Sequence, residues 1–120
     1  MNNFRNLEIW QISVDLIKQI YLLASDFPSS EMFGLSSQIK RSANSVGANI
    51  AESSGRFHYK DRANFLFHAR GSLIETEHHL FVSKELNFIA EEQFNLTMQT
   101  ISKLSAKLNS FINKIKSFED

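Results

Sequence analysis

The chain has no cysteine, one proline and four glycines in 120 residues. Without cysteine, neither a disulfide framework nor a Cys-based zinc site can form. With Pro28 as the single proline, turn chemistry is too scarce for a many-turned β fold, and long helices are favoured. No apolar run approaches the roughly 20 residues needed to cross a bilayer. The opening stretch, MNNFRNLEIW, lacks the basic-then-apolar layout of a secretory signal. These absences lead to the expectation of a soluble, cytoplasmic protein without a membrane partner. Net charge is missing too: 13 basic residues cancel 13 acidic ones, which argues against a strongly basic nucleic-acid binder.

What is present is apolar bulk in helical register. Hydrophobic residues make up 42% of the chain, eleven of them phenylalanine, enough for one domain, 1–120, with its own core. No internal repeat or low-complexity linker divides it. The charges are unevenly spread. Residues 35–72 carry six basic residues against two acidic ones, whereas the flanking segments are each acidic by two.

The periodicity predicts four helices, about 7–25, 36–54, 60–86 and 91–118. In the first, Leu7, Trp10, Val14, Ile17, Tyr21 and Ala24 form one stripe. Ile9, Leu16, Ile20, Leu23 and Phe27 form a second, roughly 100° away. Such a wide apolar arc makes this helix either central or part of a subunit contact, and Ile9, Leu16, Ile20 and Leu23 are the interface candidates. The turn at Phe27-Pro28 and the Phe33-Gly34-Leu35 connection follow, with Gly34 expected at positive φ and Ser36 or a neighbouring serine as N-cap. The second helix carries Ile39, Ala43, Val46 and Ile50 on one face. Ala43, Gly47 and Ala51 beside them are small enough to admit another backbone. Gly55 is its expected stop.

The third helix shows two heptad rows: Leu66, Leu73 and Leu80, then Phe67, Ile74, Phe81 and Phe88. Arg70, Glu77 and Lys84 fall between them and need partners on another helix or subunit if buried. The fourth keeps a seam through Phe94, Met98, Ile101, Leu104, Leu108, Phe111, Ile115 and Phe118. Glu91 and Glu92 open it, and Lys114 and Lys116 close it, as the helix dipole favours. Four long amphipathic helices with short connections make an all-α, antiparallel up-down-up-down four-helix bundle.

Chemistry is sparse. A di-iron bundle needs two Glu-x-x-His pairs, and Glu75–His78 supplies one. His78 reads as a surface histidine, and no metal or other cofactor is expected. His68, His79 and Glu75 share a helical face, read as a solvated polar surface or an oligomer contact. No nucleophile is tied to a histidine by spacing, and Gly55-Arg56 follows a helix rather than opening one, so no phosphate loop exists. The anion-binding candidates are Lys40, Arg41, Arg56, Lys60 and Arg62. A solvated charged face is the plainer reading of them. Phe57, His58 and Tyr59 beside them either stack on bases or pack the bundle end.

These segments resemble the bacterial four-helix-bundle proteins associated with 23S rRNA intervening sequences. The pattern Q-I-[RK]-R-[AS]-x-x-S-[VI]-x-x-N-I-A-E-G-x-G-R stands here as Gln38-Ile39-Lys40-Arg41-Ser42, Ser45-Val46, Asn49-Ile50-Ala51-Glu52 and Gly55-Arg56. A second block, F-L-x-x-A-x-G-S-x-x-E, stands as Phe65-Leu66, Ala69, Gly71-Ser72 and Glu75. Trp10 and Phe27-Pro28 also fit. One departure is Ser53, where the family pattern has glycine. The resemblance implies a ring-like homopentamer. Related retroelement accessory proteins form similar rings, are basic, and bind nucleic acid and a reverse transcriptase, a role that transfers poorly to a neutral chain. The expected function is a non-enzymatic oligomer that binds structured RNA or a nucleic-acid-binding protein. The alternatives are a protein-interaction scaffold without nucleic-acid contact and, behind it, a metal-containing bundle enzyme. Asn49, Glu52, Arg70, Glu75 and Glu77 are the polar residues expected to hold the bundle or ring, with Asn49 and Glu52 bonding to an arginine such as Arg41 or Arg70.

Overall fold

The computed structural model describes residues 3–118. They form four α-helices: α1 Glu8–Ala24, α2 Leu35–Ser54, α3 Tyr59–Glu85 and α4 Glu91–Lys116. Short 3-10 turns at Phe4–Asn6 and Ser29–Glu31 precede α1 and α2, and no strand occurs among the described residues. The helices pack as a bundle with overall extents of 48 × 24 × 20 Å.

One continuous core runs through it. Leu16, Ile20, Ile39, Ile50, Leu66, Leu80, Leu104 and Leu108 are fully enclosed, drawn together by the loss of apolar surface to water. Ile9 and Leu23 join them. This corrects the interface assignment of Ile9, Leu16, Ile20 and Leu23: all four are spent inside the protomer. The apolar surface that α1 leaves outward is different, with Leu22 69% exposed and Tyr21 46%.

The α2–α3 seam is built from small and hydroxyl side chains. Thr76 Oγ1 lies 2.8 Å from Ser42 Oγ and 2.8 Å from the Ser72 carbonyl. Ser72 Oγ donates to Ser45 Oγ at 2.9 Å, and Ser53 Oγ donates to the Arg62 carbonyl at 2.8 Å. The contacts climb α3 as they descend α2. Buried hydroxyls need such partners, because each unpaired one costs about 1–3 kcal/mol. On the other side of α2, a Cβ on Gly47 would stand 2.9 Å from Ser13 Oγ. That hydroxyl is held by the Trp10 carbonyl at 2.6 Å, so α1 approaches α2 over a position that needs glycine.

The connections differ in detail from expectation. Gly34 has φ −110°, not positive, and is itself the α2 N-cap. Ser36 is inside the helix. Glu31 reaches across, its carboxylate accepting the Leu35 N–H at 3.2 Å, and a Cβ on Gly34 would meet that carboxylate at 3.0 Å. Gly55 ends α2 in an ordinary right-handed conformation, φ −87°. The left-handed position belongs to Asn87, φ 62°. Phe88 N–H bonds the Ser83 carbonyl and Asn87 N–H bonds the Lys84 carbonyl, both at 2.9 Å, which is a Schellman closure of α3.

The second heptad row of α3 does not point inward. Ile74 is 61% and Phe81 44% exposed, while Phe67 and Phe88 are half-buried. The buried face runs through Ala63, Leu66, Ala69, Leu73, Thr76, Leu80 and Ser83 instead. His79 is buried beside it, its Nε2 3.2 Å from Glu75 Oε2, so His68, His79 and Glu75 are not one solvated face. Phe118, assigned to the α4 seam, lies beyond the end of α4 and is exposed.

Candidate nucleic-acid interface

The corner between α2 and α3 gathers three of the five cationic candidates. Ser53 and Ser54 end α2 on the chain Gly55-Arg56-Phe57-His58, and α3 starts at Tyr59. The tie from Ser53 Oγ to Arg62 fixes the angle between the two helices. Arg62 Nε donates back to the Arg56 carbonyl at 2.6 Å, and its guanidinium lies 5.3 Å from the Tyr59 ring centre. Arg56 pairs with Glu52 one turn earlier and covers the Phe65 ring at 4.5 Å. Lys60 is exposed. Phe57 projects outward, 87% exposed, with His58 against it at 5.0 Å. It does not pack the bundle end. Tyr59 does, meeting Phe118 at 5.2 Å.

Lys40 and Arg41 are not part of this corner. They lie some sixteen residues up α2, about 24 Å along its axis. Lys40 sits 5.0 Å from the Tyr21 ring, and Arg41 is exposed. The five cations are therefore two separate spots.

The polar candidates find partners other than those expected. Glu52 binds Arg56, not Arg41 or Arg70. Asn49 donates to the Ser45 carbonyl at 2.8 Å and to Ser45 Oγ at 3.0 Å, and through that hydroxyl joins the α2–α3 seam. Arg70 donates to Asn109 on α4 at 3.2 Å and stacks 5.0 Å over Phe67. Lys84 lies 4.4 Å over Phe94, also of α4. Glu77 is half-buried and makes no ion pair among the described residues. Among those residues, no three His, Asp or Glu side chains cluster as metal ligands, and no helix is long and apolar enough to cross a membrane.

The family model described as 23S rRNA-intervening sequence protein matches residues 5–110. The chain belongs to the 23S rRNA intervening-sequence protein family. It is also similar to the crystal structure of a protein with unknown function from the S23 ribosomal protein family of Bacteroides thetaiotaomicron. The two share 28% identity with a TM-score of 0.80, over 87% of this chain and 97% of that one. No curated protein matches the chain.

The two blocks that carry the family resemblance are adjacent in space. Ser42, Ser45 and Ser53 from the first meet Thr76, Ser72 and Arg62 in or beside the second. Ser53, which replaces the family pattern's glycine, supplies the tie that closes the corner. Two further cations at the same end, Lys114 and Lys116 of α4, were missed as site residues. Their place at the end of the last helix fits dipole compensation, which gave no sign of a site; Lys116 lies 5.7 Å from the Phe67 ring centre of α3. A cleft of about 440 Å³ beside Lys114, between α1 and α4, is lined by Asn6, Leu7, Glu8, Ile9, Lys107, Ser110, Phe111 and Lys114.

Proposed function

We propose that this protein is a non-enzymatic, oligomeric RNA-binding bundle that engages RNA through the α2–α3 corner. The observation that carries the reading is that Arg56, Lys60 and Arg62 share the α2–α3 corner, whose connection also carries the exposed ring of Phe57. Lys60 and Arg62 neutralise phosphates, Arg56 being paired with Glu52, and an outward aromatic offers a stacking surface. Lys40 and Arg41 form a second contact for an RNA long enough to reach both spots. An electrophoretic titration at low salt with a structured RNA that also carries unpaired segments tests this. A shifted complex that dissociates as salt rises is expected; no complex at low salt contradicts it.

The helices are read as an antiparallel up-down-up-down bundle, supported by the pairing of α2 with α3 described above. The assembly is read as a ring-like homopentamer in the cytoplasm. Exposed Leu22, Ile74 and Phe81 supply apolar area for subunit contacts. Light scattering is expected to give a mass about five times 13.8 kDa; a monomer mass refutes the ring. The same exposed apolar side chains favour a protein-interaction scaffold as the second reading, and a protein partner retained without RNA would select it.

A further inference from the structure

The charges of this neutral chain are segregated along the bundle. Asp15, Lys18, Arg70 and Lys103 lie near mid-height. Leaving them aside, the half that holds the α2–α3 corner carries seven basic residues against three acidic ones among the described residues. Arg5, the three corner cations and Lys107, Lys114 and Lys116 stand there against Glu8, Glu52 and Asp61. The opposite half carries three basic residues against seven acidic ones. Contacts between helices fix which ends meet: Tyr59 packs on Phe118, and Lys107 pairs with Glu8 at 3.0 Å.

Two of the three carboxylates at the basic end are already engaged, Glu8 by Lys107 and Glu52 by Arg56. Lys60, Arg62, Lys114 and Lys116 have no carboxylate within ion-pair distance among the described residues. At the same end of the bundle, on the α2–α3 connection, the Phe57 ring stands in solvent. A duplex hides its base faces inside the stack, and the A-form major groove is too deep and narrow for side chains to read. Unpaired nucleotides present both a π-face and flexible phosphates. The end of the bundle, 24 × 20 Å across, covers a few nucleotides rather than a long helix.

We infer that this end face binds single-stranded RNA. An unpaired base stacks on Phe57, and the flanking phosphates sit on Lys60, Arg62, Lys114 and Lys116. The inference rests on the RNA reading above and adds both the strandedness of the ligand and the contribution of α4.

Fluorescence anisotropy of the full chain with two labelled RNAs of equal length tests it, one unstructured and one a closed hairpin. The unstructured RNA is expected to bind tighter. Phe57→Ala should weaken it on the order of tenfold with little change in salt dependence. The double variant Lys114→Ala/Lys116→Ala should lower the salt slope by about 1.4. Lys18→Ala/Lys103→Ala, exposed at mid-height and away from the end face, should leave affinity unchanged. All these side chains are on the surface, and circular dichroism confirms that each variant folds. Equal or tighter hairpin binding, or weakening by the Lys18/Lys103 variant and not by the Phe57 variant, overturns this inference and leaves the RNA reading standing. Binding of neither RNA overturns both and assigns the face to a protein.

Discussion

At the scale of single residues, two glycines of this chain are opposites. Gly47 sits where α1 crosses α2 and has no room for a side chain, whereas a Cβ on Gly71 meets nothing within 4 Å. Gly71→Ala is therefore expected to stabilise the protein by about 0.8–1 kcal/mol, the helix-propensity difference. Gly47→Leu must push Ser13 and Ile17 apart and should cost about 1–3 kcal/mol or more. Urea titrations of the two variants against the parent check the opposite signs. Ser53 gives a third test. Its hydroxyl holds the first turn of α3, so Ser53→Ala should cost about 1 kcal/mol in the same titration. Gly47 was readable from its spacing with Ala43 and Ala51. The bond made by Ser53 was not, because its acceptor is a backbone carbonyl nine residues away.

At the scale of elements, all four helices were legible in the hydrophobic periodicity, but their faces were less so. The buried face of α3 is made largely of Ala63, Ala69, Thr76 and Ser83, which apolar bulk does not flag. The large side chains Ile74 and Phe81 drew the reading one row too far around. In α1 both stripes were visible, yet periodicity alone does not say which stripe a protomer keeps for itself. The core took Ile9, Leu16, Ile20 and Leu23. The end of α3 rests on Asn87 at positive φ, which asparagine tolerates better than most residues and glycine better still. Asn87→Gly is expected to raise the melting temperature, whereas Asn87→Val should lower stability by about 1–2 kcal/mol. Thermal unfolding of both variants reads the sign directly.

At the scale of the whole molecule, the balance of charge concealed its arrangement. A net charge of zero argued against nucleic acid, yet among the described residues folding puts the cations of the α2–α3 corner and of the end of α4 at one end of the bundle and seven of eleven acids at the other. A local field, not the total, steers a polyanion. This was illegible in the chain because the cations that meet are about fifty residues apart in sequence. Membership of the 23S rRNA intervening-sequence family was legible in the Gln38–Arg56 and Phe65–Glu75 blocks. The division of its five cations into two spots was not.

The central claim is that the corner cations bind RNA phosphates, and the salt dependence of affinity tests it most directly. RNA binding by the parent and by a Lys60→Ala/Arg62→Ala variant is measured across a salt series. Weaker binding by the variant is expected, with a log–log slope reduced by about 1.4, near 0.7 for each single-strand phosphate that the variant leaves without a cation. Equal affinity and an unchanged slope would contradict it.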